Sequence, residues 1–183
     1  MSATELVIRP AHAGEAPILT ELCIRAKAHW GYDSQFMTAA TRLLQIREDQ
    51  IGAGRVLAAL READPVPCGI AAIVPLRRLH WFELSHLFVA PESFGLGIGR
   101  ALFDAAVALA VEKGATHVSI LSDPHAAAFY EKLGARRCGE APSGVERNRM
   151  LPLFAFAIRC TDPQPIAPQP GPLEPGCPKQ PVR

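Results

Sequence analysis

Glycines at positions 95, 97 and 99 mark the stretch FVAPESFGLGIGRALFDAAVALAVEKG, residues 88–114, as the place where this chain can do chemistry. A strand that runs into a glycine turn and then a helix makes an anion site. The first helical N–H groups have no partners, and the dipole adds roughly half a positive charge there. Arg100 stands in the first turn and can add a direct charge. The spacing is G-x-G-x-G. A dinucleotide fingerprint would need glycine where Arg100 stands, counting from Gly95, or where Leu102 stands, counting from Gly97. A P-loop would end in G-K-[ST], where this chain has Gly99-Arg100-Ala101. Both common nucleotide loops are excluded. A glycine turn that holds no ligand is the competing reading.

The elements around this turn follow from pattern. ELVIRP alternates and stops at Pro10, a short strand. GEAPILTELCIRAKAHW has Pro17 near its start and apolar residues at helical spacing, and Gly31 ends it. DSQFMTAATRLLQI is a second helix capped by Asp33 or Ser34. Three strands follow, RVLAALR, CGIAAIVP and LHWFELSHLFVA, with short links that favour an antiparallel meander. A helix from about Ile98 ends at Gly114. HVSILS is a strand, Asp123 and Pro124 start another helix, and MLPLFAFAI is the last strand, with a further short one near Arg136 to Cys138. The expected class is α/β in the α+β sense: a mixed sheet with an antiparallel front half and β–α–β crossovers at the back.

The 183 residues suit one domain, over about residues 4–158. The segment 161–183 holds eight of the seventeen prolines and reads as a disordered, proline-rich tail. A net charge of +1 without a basic block argues against nucleic acid. No run is long and apolar enough for a membrane span, and no signal-peptide pattern opens the chain. Five scattered cysteines without a CxxC pair point to reduced thiols in a cytoplasmic protein, and neither they nor the histidines have metal-ligand spacing.

LFVAPESFGLGIGRALF resembles the acyl-CoA loop of the GNAT superfamily of N-acetyltransferases, whose signature is Gln/Arg-x-x-Gly-x-Gly/Ala. Gly97 and Gly99 match its small positions, while Phe94 stands at the Gln/Arg position. DPHAAAFYEKLGA is similar to the superfamily's N-x-x-A-x-x-F-Y-x-x-x-G segment. Ala126, Phe129, Tyr130 and Gly134 match, and Asp123 replaces Asn. The resemblance covers roughly residues 4–158. It implies the GNAT fold, acetyl-CoA as co-substrate, no metal, and direct transfer of an acetyl group to a primary amine of a small molecule or peptide. A non-catalytic acyl-CoA-binding module of the same fold is the alternative, and a homodimer is left open.

The resemblance also implies residue roles. Tyr130 is the expected general acid for the departing thiolate, since a phenol is protonated at neutral pH. Glu83 is the expected base, and its apolar neighbours Phe82 and Leu84 favour a raised pKa. Strict alternation puts Glu83 on the face of Val89 and His86, a weaker base candidate, on the opposite face. Ordered water is a third route for the proton. Leu87, Phe88 and Val89 are expected to pair with the pantetheine arm as an added strand does. Phe94, Gly95, Leu96, Gly97, Ile98, Gly99, Arg100, Ala101, Asp123, Ala126 and Phe129 complete the expected CoA site. On the acceptor side, His29, Trp30 and Tyr32 lie between two helices, where Trp30 and Tyr32 can surround a cation and Asp33 can attract an amine. An ordinary capping turn is the alternative. Ser143 and Arg149 can reach an acceptor carboxylate or phosphate, or be solvated.

Overall fold

A computed structural model describes residues 5–62, 64–146 and 148–158. The proline-rich segment 161–183 lies outside the described residues. Seven strands form one sheet in the order β1-β2-β3-β4-β5-β7-β6. The strands are β1 (Leu6–Pro10), β2 (Val56–Arg61), β3 (Gly69–Pro75), β4 (Trp81–Val89), β5 (His117–Leu121), β6 (Arg136–Pro142) and β7 (Met150–Ala157). The first four pair antiparallel. β4 and β5 are parallel, and β7 then pairs antiparallel with both β5 and β6. The expected crossovers at the back are therefore present, one from β4 to β5 and one from β5 to β6, each through a helix. β4 and β5 are adjacent and parallel, while β5 and β6 run parallel with β7 inserted between them as the hairpin partner of β6.

The helices are α1 (Ala16–Ala28), α2 (Ser34–Leu44), α3 (Glu48–Gly52), α4 (Ile98–Glu112) and α5 (Ala127–Lys132). Their starts follow local chemistry. Pro17 occupies the first turn of α1, where its missing N–H would be unpaired in any case. Asp33 caps α2, its carboxylate accepting from the Phe36 amide at 2.8 Å. Asp33 is thus the cap that the sequence offered, with one carboxylate oxygen committed to the backbone. The five-residue α3 was not anticipated, being too short to show a period.

Alternation along the strands splits the apolar residues between two faces. Leu57, Ala71, Ile73, Leu84, Val118 and Ile120 pack with Leu102, Phe103 and Ala106 of α4. Val56, Ala58, Ile70 and Ala72 pack with Leu19, Leu22 and Cys23 of α1 and Phe36 and Ala40 of α2. Cys23 and Cys68 are free and buried, as the sequence suggests, whereas Cys138 is disulfide-bonded, which corrects the expectation of five reduced thiols.

Candidate active site

The sheet is forked at its centre. β4 and β5 pair only at Trp81–His117, Phe82–Val118 and Glu83–Ser119. Beyond Glu83 the two strands separate, each keeping its other neighbour. The Ala90 amide donates to the Cys68 carbonyl at 2.8 Å, which fixes the phase of the β3–β4 ladder. Hydrogen-bonded pairs alternate along an antiparallel ladder. So the backbone groups of Phe88 turn toward β3, and those of Leu87 and Val89 turn into the gap. The sequence reading gave all three to the pantetheine arm; the phase removes Phe88.

A second correction comes from a bulge. Ala72 faces His86 and Ile73 faces Leu84, so Ser85 is an extra residue. The insertion inverts the alternation. Glu83 and His86 therefore share the α1/α2 face, and Val89 lies on the α4 face, contrary to strict period two. Glu83 is half-buried and engaged by a partner. Its register neighbour Ser119 is fully buried, with a hydroxyl that makes no hydrogen bond among the described residues.

His86 is a pin rather than a base. Its Nε2 lies 3.0 Å from the Leu43 carbonyl, which can only accept, so Nε2 carries the proton and donates. Nδ1 lies 3.1 Å from the Ser85 hydroxyl. Burial drives the pKa of the imidazole down to about 4 despite the Leu43 bond, so the ring is neutral at pH 7.

The glycine turn sits at the open end of the fork. Gly95 and Gly97 have φ of +79° and +78°, conformations that favour glycine. A Cβ on either would meet nothing within 4 Å, so the space above the turn is open. Phe94 N–H donates to Pro91, and the next amide to find a backbone acceptor is Ala101, bonded to the Gly97 carbonyl. The amides of residues 95 to 100 take none among the described residues. Six successive free N–H groups, at the start of a fifteen-residue helix, form a nest for an anion. Gly99 has ordinary φ and packs on Phe129, and Ile98 is buried under β3. The Arg100 side chain is exposed, 3.8 Å from Asp104. Leu96 is exposed, Ala101 is half-buried, and Ala126 packs on the core.

Tyr130 is 7% exposed, among the rings of Phe103, Phe129 and Phe154. Burial first, and the negative charge of Asp123 second, push its phenol well above the ordinary value. Asp123 itself caps the turn before α5, its Oδ1 accepting from the His125 amide at 3.0 Å. Its Oδ2 takes the Lys27 ammonium and the Tyr32 hydroxyl, the latter at 2.7 Å. Burial opposes its ionisation, but the Lys27, Tyr32 and His125 bonds outweigh that and lower its pKa. Asp123 thus faces the early helices, where the sequence reading gave it to CoA. Arg149 Nη2 donates to the Tyr32 oxygen at 2.7 Å. Sequence reasoning missed Lys27, whose only signal was its place in the last turn of α1, just before the loop that carries Tyr32.

The expected cation cage is filled by this chain. Lys27 and Arg149 lie 4.8 and 4.9 Å from the Tyr32 ring centroid. Trp30 stacks on His125 at 4.8 Å, and His29 meets Phe94 edge-on at 5.1 Å, so the α1–α2 loop spans from the glycine turn to the β5–α5 turn. Ser143 turns its hydroxyl to the Val145 amide, a local turn contact. Among the described residues, no group of His, Cys, Asp or Glu is arranged to hold a metal, and no helix is long and apolar enough to cross a membrane.

The model of the acetyltransferase (GNAT) family matches residues 24–135. No curated protein matches the chain significantly. Among solved structures, the PaiA N-acetyltransferase of Thermoplasma acidophilum in complex with coenzyme A superposes with a TM-score of 0.68 at 16% identity, over 84% of this chain and 99% of that one. The ribosomal-protein-S18-alanine N-acetyltransferase of Escherichia coli gives 0.62 at 16% identity, over 89% and 100%. A GNAT family acetyltransferase of Brucella melitensis in complex with acetyl-CoA gives 0.60 at 19% identity, over 88% and 94%.

Proposed function

This chain belongs to the acetyltransferase (GNAT) family, and from that premise we propose that it transfers an acetyl group from acetyl-CoA directly to a primary amine. The observation that carries the proposal is the nest of amides of residues 95 to 100, which take no backbone acceptor among the described residues, at the open end of the β4–β5 fork. A pyrophosphate satisfies those amides and is favoured by the α4 dipole. A pantetheine arm laid along β4 satisfies the outward backbone groups of Leu87 and Val89.

The chain's own groups then handle the protons. The amine nitrogen bonds to the thioester carbon and the C–S bond breaks. Tyr130 donates its hydroxyl hydrogen to the departing sulfur and regains it from solvent. Glu83, or a water beside it, takes the proton that the amine sheds. Ser119, on the same face, offers its free hydroxyl to that water. No metal is required at any step.

Thermal unfolding with and without acetyl-CoA, with NAD as control, tests the reading. A ligand at about 100 times its Kd adds about 2.7 kcal/mol. For a domain of this size that raises Tm by roughly 5–11 °C. A shift with acetyl-CoA and none with NAD is expected; no shift with acetyl-CoA overturns the proposal.

A further inference from the structure

At the open end of the fork one carboxylate meets one cation directly, and a second cation only through a tyrosine hydroxyl. Lys27 and Asp123 are paired, with side chains 16% and 15% exposed. Tyr32 donates its hydroxyl hydrogen to Asp123, so its oxygen is left to accept from Arg149. Arg149 therefore ends on a neutral oxygen. None of its remaining N–H groups meets a carboxylate among the described residues. The cluster of Lys27, Tyr32, Asp123 and Arg149 carries one surplus positive charge.

The guanidinium is also held in place. It lies 4.9 Å from the Tyr32 ring and 5.0 Å from the Phe36 ring, and those two rings stack at 4.3 Å. The Arg149 backbone is tied at both ends of its peptide unit, its carbonyl accepting from Ser143 at 2.7 Å and its amide donating to Glu146 at 3.1 Å. A fixed, half-buried planar fork with free donors suits a bidentate oxyanion. The charge tally selects which one. A carboxylate neutralises the surplus, whereas a phosphate at about −1.5 to −2 overshoots it. A polycationic amine meets two cations where an aromatic cage would otherwise be free for it.

Resting on the acetyl-transfer reading, we propose that the acceptor amine carries a carboxylate, and that Arg149 is the residue that binds it. The site then takes amino acids, or peptides whose acidic group lies close to the amine.

The test pairs acids with neutral matches. N-acetyl amino acids and the corresponding N-acetyl amino acid amides are titrated calorimetrically into protein saturated with CoA. Free amino acids, their amides, O-phosphoethanolamine and spermidine are assayed as acceptors by thiol release. The acids are expected to bind and react at least tenfold better than their amides. Arg149→Met is expected to bring that ratio to about one, and Arg149→Lys to restore part of it, which separates recognition from misfolding. A ratio near one in the wild type, better turnover of the phosphate or the polyamine, or no binding of any acid overturns the inference. If acetyl-CoA still raises Tm, only this inference has failed; if it does not, the acetyl-transfer reading has failed first.

Discussion

Tyr130 is a phenol that holds its proton more firmly than usual, because both burial and the neighbouring Asp123 charge penalise the phenolate. Such a group works by hydrogen-bonding to a developing thiolate without ionising early. Tyr130→Phe keeps the ring and removes the hydroxyl. Turnover is expected to fall at least tenfold while the acetyl-CoA shift in Tm persists; unchanged turnover would remove Tyr130 from the reaction. His86 yields a pH prediction. Its folded pKa, about 4, lies below the ordinary 6.5. The unfolded chain therefore binds the proton first, and stability falls as pH drops from 6.5 toward 4. The full loss is about 3 kcal/mol, taking about 1.4 kcal/mol per pKa unit. Chemical denaturation between pH 7.5 and 4.5 should show this slope, and His86→Gln should flatten it. Glu15, whose bond with Arg9 lowers it to about 2, acts in a lower window. At this scale the sequence showed which residues carry chemistry but not what they face. Tyr32 and Arg149 stood out as polar and aromatic residues near helix and strand ends. That Tyr32 would meet Asp123, 91 residues away along the chain, and Arg149, 117 residues away, is tertiary information.

Among the elements, the strand–turn–helix unit around α4 was the most legible part of the chain, because glycine spacing and helical period both signal locally. Its glycines still differ in kind. Gly97 needs a left-handed backbone, and Gly99 does not. Gly97→Ala is expected to cost about 1–2 kcal/mol in folding stability. Gly99→Ala places a Cβ at ordinary contact with Phe129, 3.5 Å away, and should leave stability within about 1 kcal/mol of wild type. Urea unfolding of both variants checks the contrast, and equal losses would contradict it. The Ser85 bulge was not legible. A single inserted residue in WFELSHLFV leaves its apolar content intact, and the partner strand alone reveals the shift. The assignment of Glu83 and His86 to opposite faces failed for that reason alone.

At the scale of the molecule, the fork divides the sheet into a four-stranded N-terminal part and a three-stranded C-terminal part. The Lys27–Asp123 pair and the Tyr32 bonds join the α1 side of the first part to the second across the open end. Asp123→Ala strands Lys27 without its partner in a largely buried setting. A loss of about 3 kcal/mol is expected, and with it a fall in Tm of roughly 6–12 °C. A calorimetric scan showing no change would mean that the pair contributes nothing to joining the parts. The class of fold was legible because each element signals its own period, whereas the strand order β5-β7-β6 was not, since short links specify neighbours in sequence and not in space. The three-pair ladder at Trp81–Glu83 also has a mechanical meaning. It is the pivot of a pair of tongs. From Glu83 to Val89 the β4 arm runs about 20 Å at roughly 3.3 Å per residue, so a rotation of about 5° at the pivot moves its tip by nearly 2 Å. Small adjustments at the closed end of the sheet thus become ångström-scale changes in the width available to an acyl chain.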